Sequence, residues 1–299
     1  MLAQRDPYTR RRMALPPSPA FLTAREALRR AAPLLRLRPL LVVSDFDGTL
    51  ANLQLDPWAA RIVPAAQRAL RRLATIDGVH VALISGRQSL DLAARARVGG
   101  IDYLGNHSLE RGSLARRAQA ETLIVRSDDS PAEYGRMADH LASAVPLLVP
   151  EPWLVVERKL PAVAFHFRGV PDVDTAGERV RAAVEQLDPD VLLVRFPGRR
   201  VLELRPPGAP AKGEGMRSLL DQYRPAAAFM LGDDRSDADA FRVLTRARSA
   251  GEAAGLAIAI HARAEAPEDV LNAADVVLAS PADAARFLSG LARGLIAPP

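Results

Sequence analysis

Two acidic residues stand two positions apart at the end of an apolar run. They are Asp45 and Asp47 in the segment SDFDGTL (44–50), which follows the run LLVV. A carboxylate at a strand end can attack phosphorus and form an acyl phosphate, and a second carboxylate nearby can donate a proton to the leaving oxygen. Asp and Gly are also ordinary turn residues after a strand, so this segment alone leaves a purely structural role open.

Other segments contain the remaining groups that phosphoryl transfer needs. Thr49 offers a hydroxyl and an amide to phosphoryl oxygens, and Ser85 offers a neutral donor. An anionic nucleophile is repelled by an anionic phosphate unless cations intervene. Lys212 supplies one positive charge, while Asp233 and Asp234 offer the oxygen ligands that Mg²⁺ takes. Each segment alone indicates only a turn, but together they predict phosphoryl transfer with Mg²⁺ as cofactor.

Alternating strands and helices must position these residues. The sequence predicts a strand over 39–47, a helix over 64–75, a strand over 79–87, another helix and a short strand over 101–107. This β-α-β-α-β order is typical of an α/β fold with a doubly wound parallel (Rossmann-like) sheet, whose ligands lie at the carboxyl ends of the strands. The residues at such ends are Asp45, Asp47, Ser85 and Asn106.

The pattern changes after about residue 112, where several strands occur close together. AETLIVR (120–126), LLVPEPWLVVERK, AVAFHFRG, VLLVRF and GRRVLELRP are predicted strands, interleaved with helices near 132–145 and 174–187. We interpret this region as an inserted α+β cap domain. The alternation of strands and helices resumes after Pro206-Pro207. We therefore predict a basic arm and N-terminal helix at 1–38, a catalytic core at 39–111 and 206–299, and the cap at 112–205.

Composition excludes several classes of protein. No apolar run approaches the ~18 residues that a membrane span needs, and the absence of cysteine excludes disulfides and thiolate catalysis. Residues 1–40 carry a net charge of +7, which leaves −2 for the rest, so the pI near 10.1 is a property of the N-terminal arm. In this arm Ser18-Pro19 predicts the beginning of a helix, with Phe21 on the face that packs against the body. Met13 is an alternative first residue of the chain. We expect a cytoplasmic protein that contacts no membrane and is a monomer or weak oligomer.

Of the 40 basic residues only Lys159 and Lys212 are lysine. A chain biased this strongly toward arginine indicates that these two positions need a compact ammonium group. Two surface lysines without a function remain the alternative when this observation stands alone.

The order of the motifs resembles the haloacid-dehalogenase-like phosphatase superfamily. The resemblance rests on DxDGT, a serine at the second strand end, an isolated lysine and GDDxxD, which span residues 39–280. The segments SDFDGTLA, ISGR, LGNHSLE, VERKLPAVAFHFR, LELRPPGAPAKG and GDDRSDADAF resemble more narrowly the trehalose-6-phosphate phosphatase family. This resemblance implies Mg²⁺-dependent hydrolysis of trehalose 6-phosphate to trehalose and phosphate through an aspartyl-phosphate intermediate.

The resemblance also implies a role for each matching residue. Asp45 is the nucleophile and Asp47 the general acid, while Ser85 and Lys212 hold the phosphoryl group. The Mg²⁺ ligands are the carboxylates of Asp45 and Asp233 together with the backbone carbonyl of Asp47. Asp234 and Asp237 lie just outside this ligand set. The substrate-binding residues are Thr49, Arg87, Asn106, Glu157, Lys159, His166 and Glu203.

Sequence leaves the substrate partly open. Glu157 and Lys159, two apart on a strand, share one face and suit a disaccharide, although an exposed ion pair worth under ~1 kcal/mol is the alternative. The family usually has other residues where this chain has Ser108, Ala211 and Ala238. Phosphatases of sucrose phosphate, mannosylglycerate phosphate or glucosylglycerol phosphate therefore stay as alternatives.

A remote alternative is a non-catalytic nucleic-acid-binding protein with a basic arm. That class predicts loss of catalytic aspartates, and none is lost. It also predicts interleaved basic and aromatic residues, yet the arm has only Tyr8 and Phe21.

Overall fold

Parallel strands dominate the larger of two sheets. The structure, a computed structural model, describes residues 20–54, 56–127, 130–198, 200–261 and 268–296. Within these ranges the larger sheet has nine strands, in the order β1 (Ala20–Phe21), β13 (Val276–Leu278), β12 (Ala254–Ile260), β11 (Ala227–Gly232), β2 (Leu40–Ser44), β3 (Val79–Ile84), β4 (Ile101–Gly105), β5 (Glu110–Leu114) and β6 (Arg126–Ser127). The first seven run parallel, and the last two pair antiparallel. The predicted α/β fold with a parallel core sheet is confirmed.

Helices cover both faces of this sheet. One face carries α1 (Ala24–Ala31), α2 (Pro64–Leu73), α3 (Ser89–Ala96) and α9 (Pro281–Ile296), and the other carries α6 (Lys212–Tyr223), α7 (Arg235–Ser249) and α8 (Glu268–Ala273). In β2, Leu40 and Val42 pack into the first apolar cluster, whereas Leu41 and Val43 pack into the second. LLVV is apolar throughout because both faces of this strand are buried. No helix among the described residues is long and apolar enough to cross a membrane.

The N-terminal helix starts later than predicted. Met13 and the helix start expected at Ser18-Pro19 lie outside the described residues. Helix α1 begins at Ala24, where Thr23 accepts a hydrogen bond from the Glu26 amide and Glu26 caps the Thr23 amide in return. The expected packing of Phe21 on a helix is wrong, because Phe21 ends β1 and its side chain is 63% exposed.

An antiparallel sheet forms the cap, which is inserted between β6 and α6. Its strand order is β7 (Val155–Lys159), β8 (Ala162–His166), β10 (Val201–Arg205) and β9 (Val194–Gly198). The helices α4 (Ala132–Leu148) and α5 (Val173–Leu187) pack on one face, where Val163 and Phe165 are fully buried. The alternation in AVAFHFR leaves the opposite face to polar side chains.

The strand predicted over AETLIVR is wrong. Ala120–Thr122 form a 3-10 turn, and the strand that follows, β6, pairs with β5 in the larger sheet. The apolar residues of this segment do not alternate as in a strand: Leu123 is buried in the core, whereas Ile124 is 79% exposed. The larger sheet therefore continues past residue 111, and the domain boundaries given above stay predictions.

Candidate active site

Three neighbouring strands end at the same edge of the larger sheet. β2 lies between β11 and β3, and Asp45, Asp233 and Ser85 each follow one of them. The Asp45 amide donates to the carbonyl of Leu231 at 2.9 Å, which continues the β2–β11 ladder into the loop. Parallel register thus brings together side chains that lie far apart in the sequence.

Lys212 is buried against the predicted nucleophile. As the first residue of α6, it points Nζ at Asp45 Oδ1 (2.7 Å) and at Asp237 Oδ1 (3.0 Å). Burial alone lowers a lysine pKa, but the carboxylates of Asp234, Asp237 and Asp45 outweigh it and raise the pKa of Lys212 well above its usual value. The ammonium is therefore a permanent positive charge beside Asp45.

Three carboxylates crowd the same point. Oxygen atoms of Asp45, Asp233 and Asp237 lie within 4.8 Å of one another. Burial raises the pKa of Asp45 to about 6 despite the opposing charge of Lys212, and burial with mutual repulsion raises those of Asp233 and Asp237 well above their usual value. Asp45 and Asp237 are buried and Asp233 is partly exposed. One lysine does not neutralise three carboxylates, so this oxygen set suits a divalent cation.

The two acidic residues predicted outside the metal ligand set have different positions. Asp234 caps α7 by accepting from the Asp237 amide. Its side chain is exposed, and its pKa is lowered because the charge of Lys212 outweighs the partial desolvation of the carboxylate. Asp237 belongs to the carboxylate cluster itself, and its Oδ2 accepts from the amides of Asp233 and Asp234. The structure thus adds Asp237 to the oxygens that a cation can reach.

The loop after β2 packs against this cluster. Gly48 has a φ of +85°, and a Cβ there would lie 2.0 Å from Asp233 Oδ2, so only glycine fits. Thr49 donates its hydroxyl to Asp233 Oδ1 at 3.0 Å, so it contacts the carboxylate cluster. A direct contact of Thr49 with substrate stays a prediction.

Ser85 and Arg87 lie on the other side of the nucleophile. The Ser85 hydroxyl oxygen accepts from the Arg87 amide at 3.2 Å, which leaves its own hydrogen available to donate. All three guanidinium nitrogens of Arg87 donate within the protein, to Asp47, Asp91 and the carbonyl of Pro57. Four of its five N–H groups therefore donate within the protein. The prediction that Arg87 binds the sugar stays a prediction.

Four predicted substrate residues meet on the polar face of the cap sheet. Lys159 Nζ donates to Glu203 Oε1 at 3.1 Å and lies 3.6 Å from Glu157 Oε2, and His166 Nε2 lies 2.8 Å from that same Glu157 oxygen. Lys159 is only 5% exposed, so the alternative of an exposed ion pair does not apply. Burial alone raises a carboxyl pKa, but Lys159 and His166 outweigh it and lower that of Glu157 to about 2.

The cap face touches the core loops directly. Lys159 Nζ donates to the carbonyl of Gly86 at 2.9 Å, and Asn106 Nδ2 donates to the carbonyl of Lys159 at 2.9 Å. His107 Nε2 and Glu203 Oε2 are 2.8 Å apart. A Cβ on Gly86 would lie 2.8 Å from His107 Nε2, so glycine permits this close approach. The cap is therefore closed on the strand ends.

Sequence reasoning missed His107 and Arg205. Asn106, His107 and Ser108 all have positive φ (50°, 58° and 92°), and this turn aims His107 at the cap. The segment LGNHSLE contains one indication of such a turn, which is that the family usually has glycine at the position of Ser108. Glycine adopts positive φ readily. Several buried polar atoms at this interface lack a partner among the described residues: Asn106 Oδ1, His107 Nδ1, His166 Nδ1, and Nε and Nη1 of Arg205. Unpaired buried polar atoms indicate a polar ligand between cap and core.

The parallel core sheet, the carboxylates at its strand ends and the inserted cap define a protein of the haloacid-dehalogenase-like class. The sequence model of the family described as "Trehalose-phosphatase" matches residues 43–266, and the chain belongs to this family.

Known relatives agree with this assignment. A trehalose-phosphate phosphatase of Mycobacterium avium (strain 104) is 35% identical over 278 residues, which cover 90% of this chain and 66% of the relative. One of Mycobacterium tuberculosis (strain ATCC 25618 / H37Rv) is 34% identical over 259 residues, which cover 85% and 61%. The chain thus spans less than two thirds of either relative.

Solved structures agree on the fold. The C-terminal domain of a trehalose-6-phosphate phosphatase from Candida albicans superposes with a TM-score of 0.73 at 20% identity, over 92% of this chain and 99% of that one. At this identity the likeness shows the fold alone.

Proposed function

We propose that the chain is a Mg²⁺-dependent phosphatase that hydrolyses trehalose 6-phosphate to trehalose and inorganic phosphate through an aspartyl-phosphate intermediate. The observation that carries the proposal is the buried contact of Lys212 with Asp45 at the carboxyl ends of the parallel strands. The names of the mycobacterial relatives support the substrate.

In the first step Asp45 is the nucleophile. Its carboxylate oxygen attacks phosphorus, the bond from phosphorus to the sugar oxygen breaks, and the electron pair stays on that oxygen. Asp47 donates a proton to the leaving oxygen, so that a neutral sugar departs. Lys212 and Ser85 hold the phosphoryl oxygens in line, because positioning and charge neutralisation provide most of the catalysis in phosphoryl transfer.

In the second step water hydrolyses the aspartyl phosphate. Asp47, now ionised, accepts a proton from the attacking water, and the oxygen–phosphorus bond to Asp45 breaks as inorganic phosphate forms. Asp45 returns as a free carboxylate and Asp47 is protonated again, so one water is consumed per ester. The same residue therefore acts first as acid and then as base.

The carboxylate cluster fits Mg²⁺ through the chemistry of its donors. Asp45, Asp233 and Asp237 would hold the ion together with the carbonyl of Asp47. When bound, Mg²⁺ neutralises charge between the nucleophile and the phosphoryl oxygens.

The cap face supports a sugar as the leaving group. Glu157, Lys159, His166 and Glu203 offer acceptors and donors fixed on a sheet, which is what many hydroxyls and little charge require. Asn106 adds an unpaired carbonyl oxygen from the core side. The cytoplasmic location and the monomeric or weakly associated state stay predictions from composition.

Phosphate release from a panel of sugar phosphates tests the proposal. The panel contains trehalose 6-phosphate, sucrose phosphate, mannosylglycerate phosphate and glucosylglycerol phosphate, each with Mg²⁺ and with a chelator. We expect release from trehalose 6-phosphate alone, only with Mg²⁺, and none from Asp45→Asn. Preference for another ester would overturn the substrate, and release in chelator would overturn the mechanism.

A further inference from the structure

One cation at the interface of cap and core differs from the others. Lys212 bonds to Asp45, Lys159 to Glu203 and Arg87 to Asp47. Arg205 is 6% exposed, yet its Nε and Nη1 atoms have no hydrogen-bond partner among the described residues. Within the described chain it also has no carboxylate within ion-pair distance.

Arg205 belongs to the face of the cap that meets the core. It is the last residue of β10, two positions after Glu203, so both side chains leave the strand on the same face. Its Cζ lies 3.6 Å from the ring centre of Phe196 on the neighbouring strand β9. The ring supports the guanidinium from one side and leaves its edge free to donate.

The charges around Arg205 place it between the sugar face and the carboxylate cluster. Burial lowers its pKa, and the carboxylates that oppose this effect are Glu203 on the cap and Glu214 and Asp234 on the core. Burial lowers the pKa of His107, and the charge of Arg205 adds to that effect. Arg205 therefore lies close to residues of both groups, while none of its described neighbours bonds to Nε or Nη1.

Such an arrangement is costly in the free protein. A buried guanidinium that has lost water without gaining hydrogen bonds destabilises the fold, unless a ligand restores them. A planar fork of N–H groups matches two oxygens of a phosphate or carboxylate. The other cations named above already donate to protein carboxylates, whereas Arg205 has two buried guanidinium nitrogens that donate to none among the described residues.

We propose that Arg205 binds the phosphoryl oxygens of the bound ester, and then of inorganic phosphate, from the cap side. The inference rests on the proposed phosphatase function and deepens it, but it does not depend on which sugar is esterified. Lys212 holds the phosphoryl group from the core and Arg205 holds it from the cap. The charge of the phosphate thus favours the closed cap, while a neutral product sugar does not.

Thermal unfolding with inorganic phosphate tests this contact directly. The variant is Arg205→Met, with Arg205→Lys as a more conservative second variant, and the control is Arg158→Met. Arg158 lies on β7 but faces α4, where it bonds to Asp139 and Ser143. With Mg²⁺ present, we expect phosphate to raise the Tm of the parent and of the Arg158 variant. The rise should be small in Arg205→Met and intermediate in Arg205→Lys.

Unfolding without phosphate separates binding from a structural role. Because Arg205 is buried and unpaired at Nε and Nη1, Arg205→Met should leave the Tm in the absence of phosphate unchanged or higher. A lower Tm without phosphate, or an unchanged phosphate-induced rise, would overturn the proposal.

Kinetics distinguish the phosphoryl group from the sugar. Loss of a charged hydrogen bond should lower kcat/KM about 10- to 100-fold for Arg205→Met. The loss should be equal for the sugar phosphate and for p-nitrophenyl phosphate, because the two esters share only the phosphoryl group. A loss confined to the sugar phosphate would show that Arg205 binds sugar and would overturn the proposal. Phosphate binding and p-nitrophenyl phosphate hydrolysis are independent of whether trehalose 6-phosphate is the substrate.

Discussion

Arg87 holds both carboxylate oxygens of Asp47: Nε donates to Oδ2 at 2.6 Å and Nη2 donates to Oδ1 at 2.8 Å. A forked contact of this kind fixes the orientation of the carboxylate. The ionised form is the base that the second step of the proposed mechanism needs, whereas the first step needs a protonated oxygen. Arg87 therefore acts on Asp47: one of the two hydrogen bonds must be open while Asp47 carries the proton, and it can form again once the leaving oxygen has taken that proton.

Arg87→Lys tests this positioning role. Lysine keeps the charge but not the fork, and general acid–base catalysis contributes roughly 10²–10⁴-fold, so we expect kcat for the sugar phosphate to fall by ~10-fold or more. p-Nitrophenyl phosphate, whose leaving group needs no proton, should lose much less. Arg95→Lys is the matched control, since Arg95 also bonds to Asp91 but does not touch Asp47. Equal losses for both substrates would contradict the role.

Separate substitutions of the two opening carboxylates test their division of labour. Asp45→Asn removes the nucleophile and should abolish turnover and phosphoenzyme formation together. Asp47→Asn removes only the proton donor, so slow phosphoenzyme formation from p-nitrophenyl phosphate should persist. Rapid-quench measurement of protein-bound phosphate checks both variants, and identical behaviour would refute the assignment.

Mg²⁺ binding should strengthen as pH rises. The carboxylates of Asp45, Asp233 and Asp237 have raised pKa values, that of Asp45 about 6, because they are buried and repel one another. Between their unfolded and folded pKa values the folded protein binds more protons than the unfolded chain, so the metal-free protein loses stability as pH increases through this range. Since Mg²⁺ binds the ionised form, the rise in Tm on adding it should be small near ~pH 5 and larger near ~pH 7.5.

Asp233→Asn is the control for that measurement. It removes a metal ligand and no predicted sugar contact, so the Mg²⁺-induced rise in Tm should shrink and the Mg²⁺ concentration for half-maximal activity should increase. If the Mg²⁺-induced rise in Tm does not depend on pH, or if Asp233→Asn retains it in full, this carboxylate cluster is not the metal site.

Lys212→Arg should impair hydrolysis of every phosphate ester. The ammonium fits between Asp45 and Asp237 at 2.7 and 3.0 Å, and at 1% exposure there is no room for the wider guanidinium. We expect sugar phosphate and p-nitrophenyl phosphate to suffer alike, while the circular dichroism of the folded protein is kept. A variant that still hydrolyses either ester at the parent rate would show that shape at this position is unimportant.

Lys159→Ala should separate the two classes of substrate. Lys159 contacts Glu203 and Gly86 on the side of the predicted sugar site, so its loss should lower kcat/KM for the sugar phosphate by about 10–200-fold, or ~1–3 kcal/mol. Hydrolysis of p-nitrophenyl phosphate should hardly change. Arg158→Ala, one residue earlier on the opposite face, controls for damage to the strand. If Lys159→Ala harms both esters equally or neither, the Lys159–Glu157 pair is structural.

Residues at the ends of parallel strands could be predicted from sequence. Asp45, Ser85 and Asp233 follow apolar runs long enough to be buried strands, and parallel sheets place such ends together. The need for an ammonium group at Lys212 followed from the rarity of lysine in an arginine-rich chain. Periodicity and local spacing were sufficient here because the sheet imposes the geometry.

Contacts that depend on how the cap meets the core could not be predicted. His107 reaches Glu203 only because three consecutive residues adopt positive φ, and no local pattern in the sequence specifies this. The pairing of Arg87 with Asp47 joins two loops that tertiary packing alone brings together. The strand predicted over AETLIVR was wrong because hydrophobicity alone does not distinguish a strand from a turn with one buried leucine.

The central place of β2 has a consequence for how the protein is made. β2 pairs with β3 on one side and with β11 on the other, yet β11 follows in the sequence only after the entire cap. A nascent chain that has emerged through the cap therefore exposes one edge of β2, with unpaired backbone groups and apolar side chains on both faces. Until residue 232 has left the ribosome, the strand that leads to the nucleophile keeps an unpaired edge that is open to aggregation, and the site can assemble only after that point.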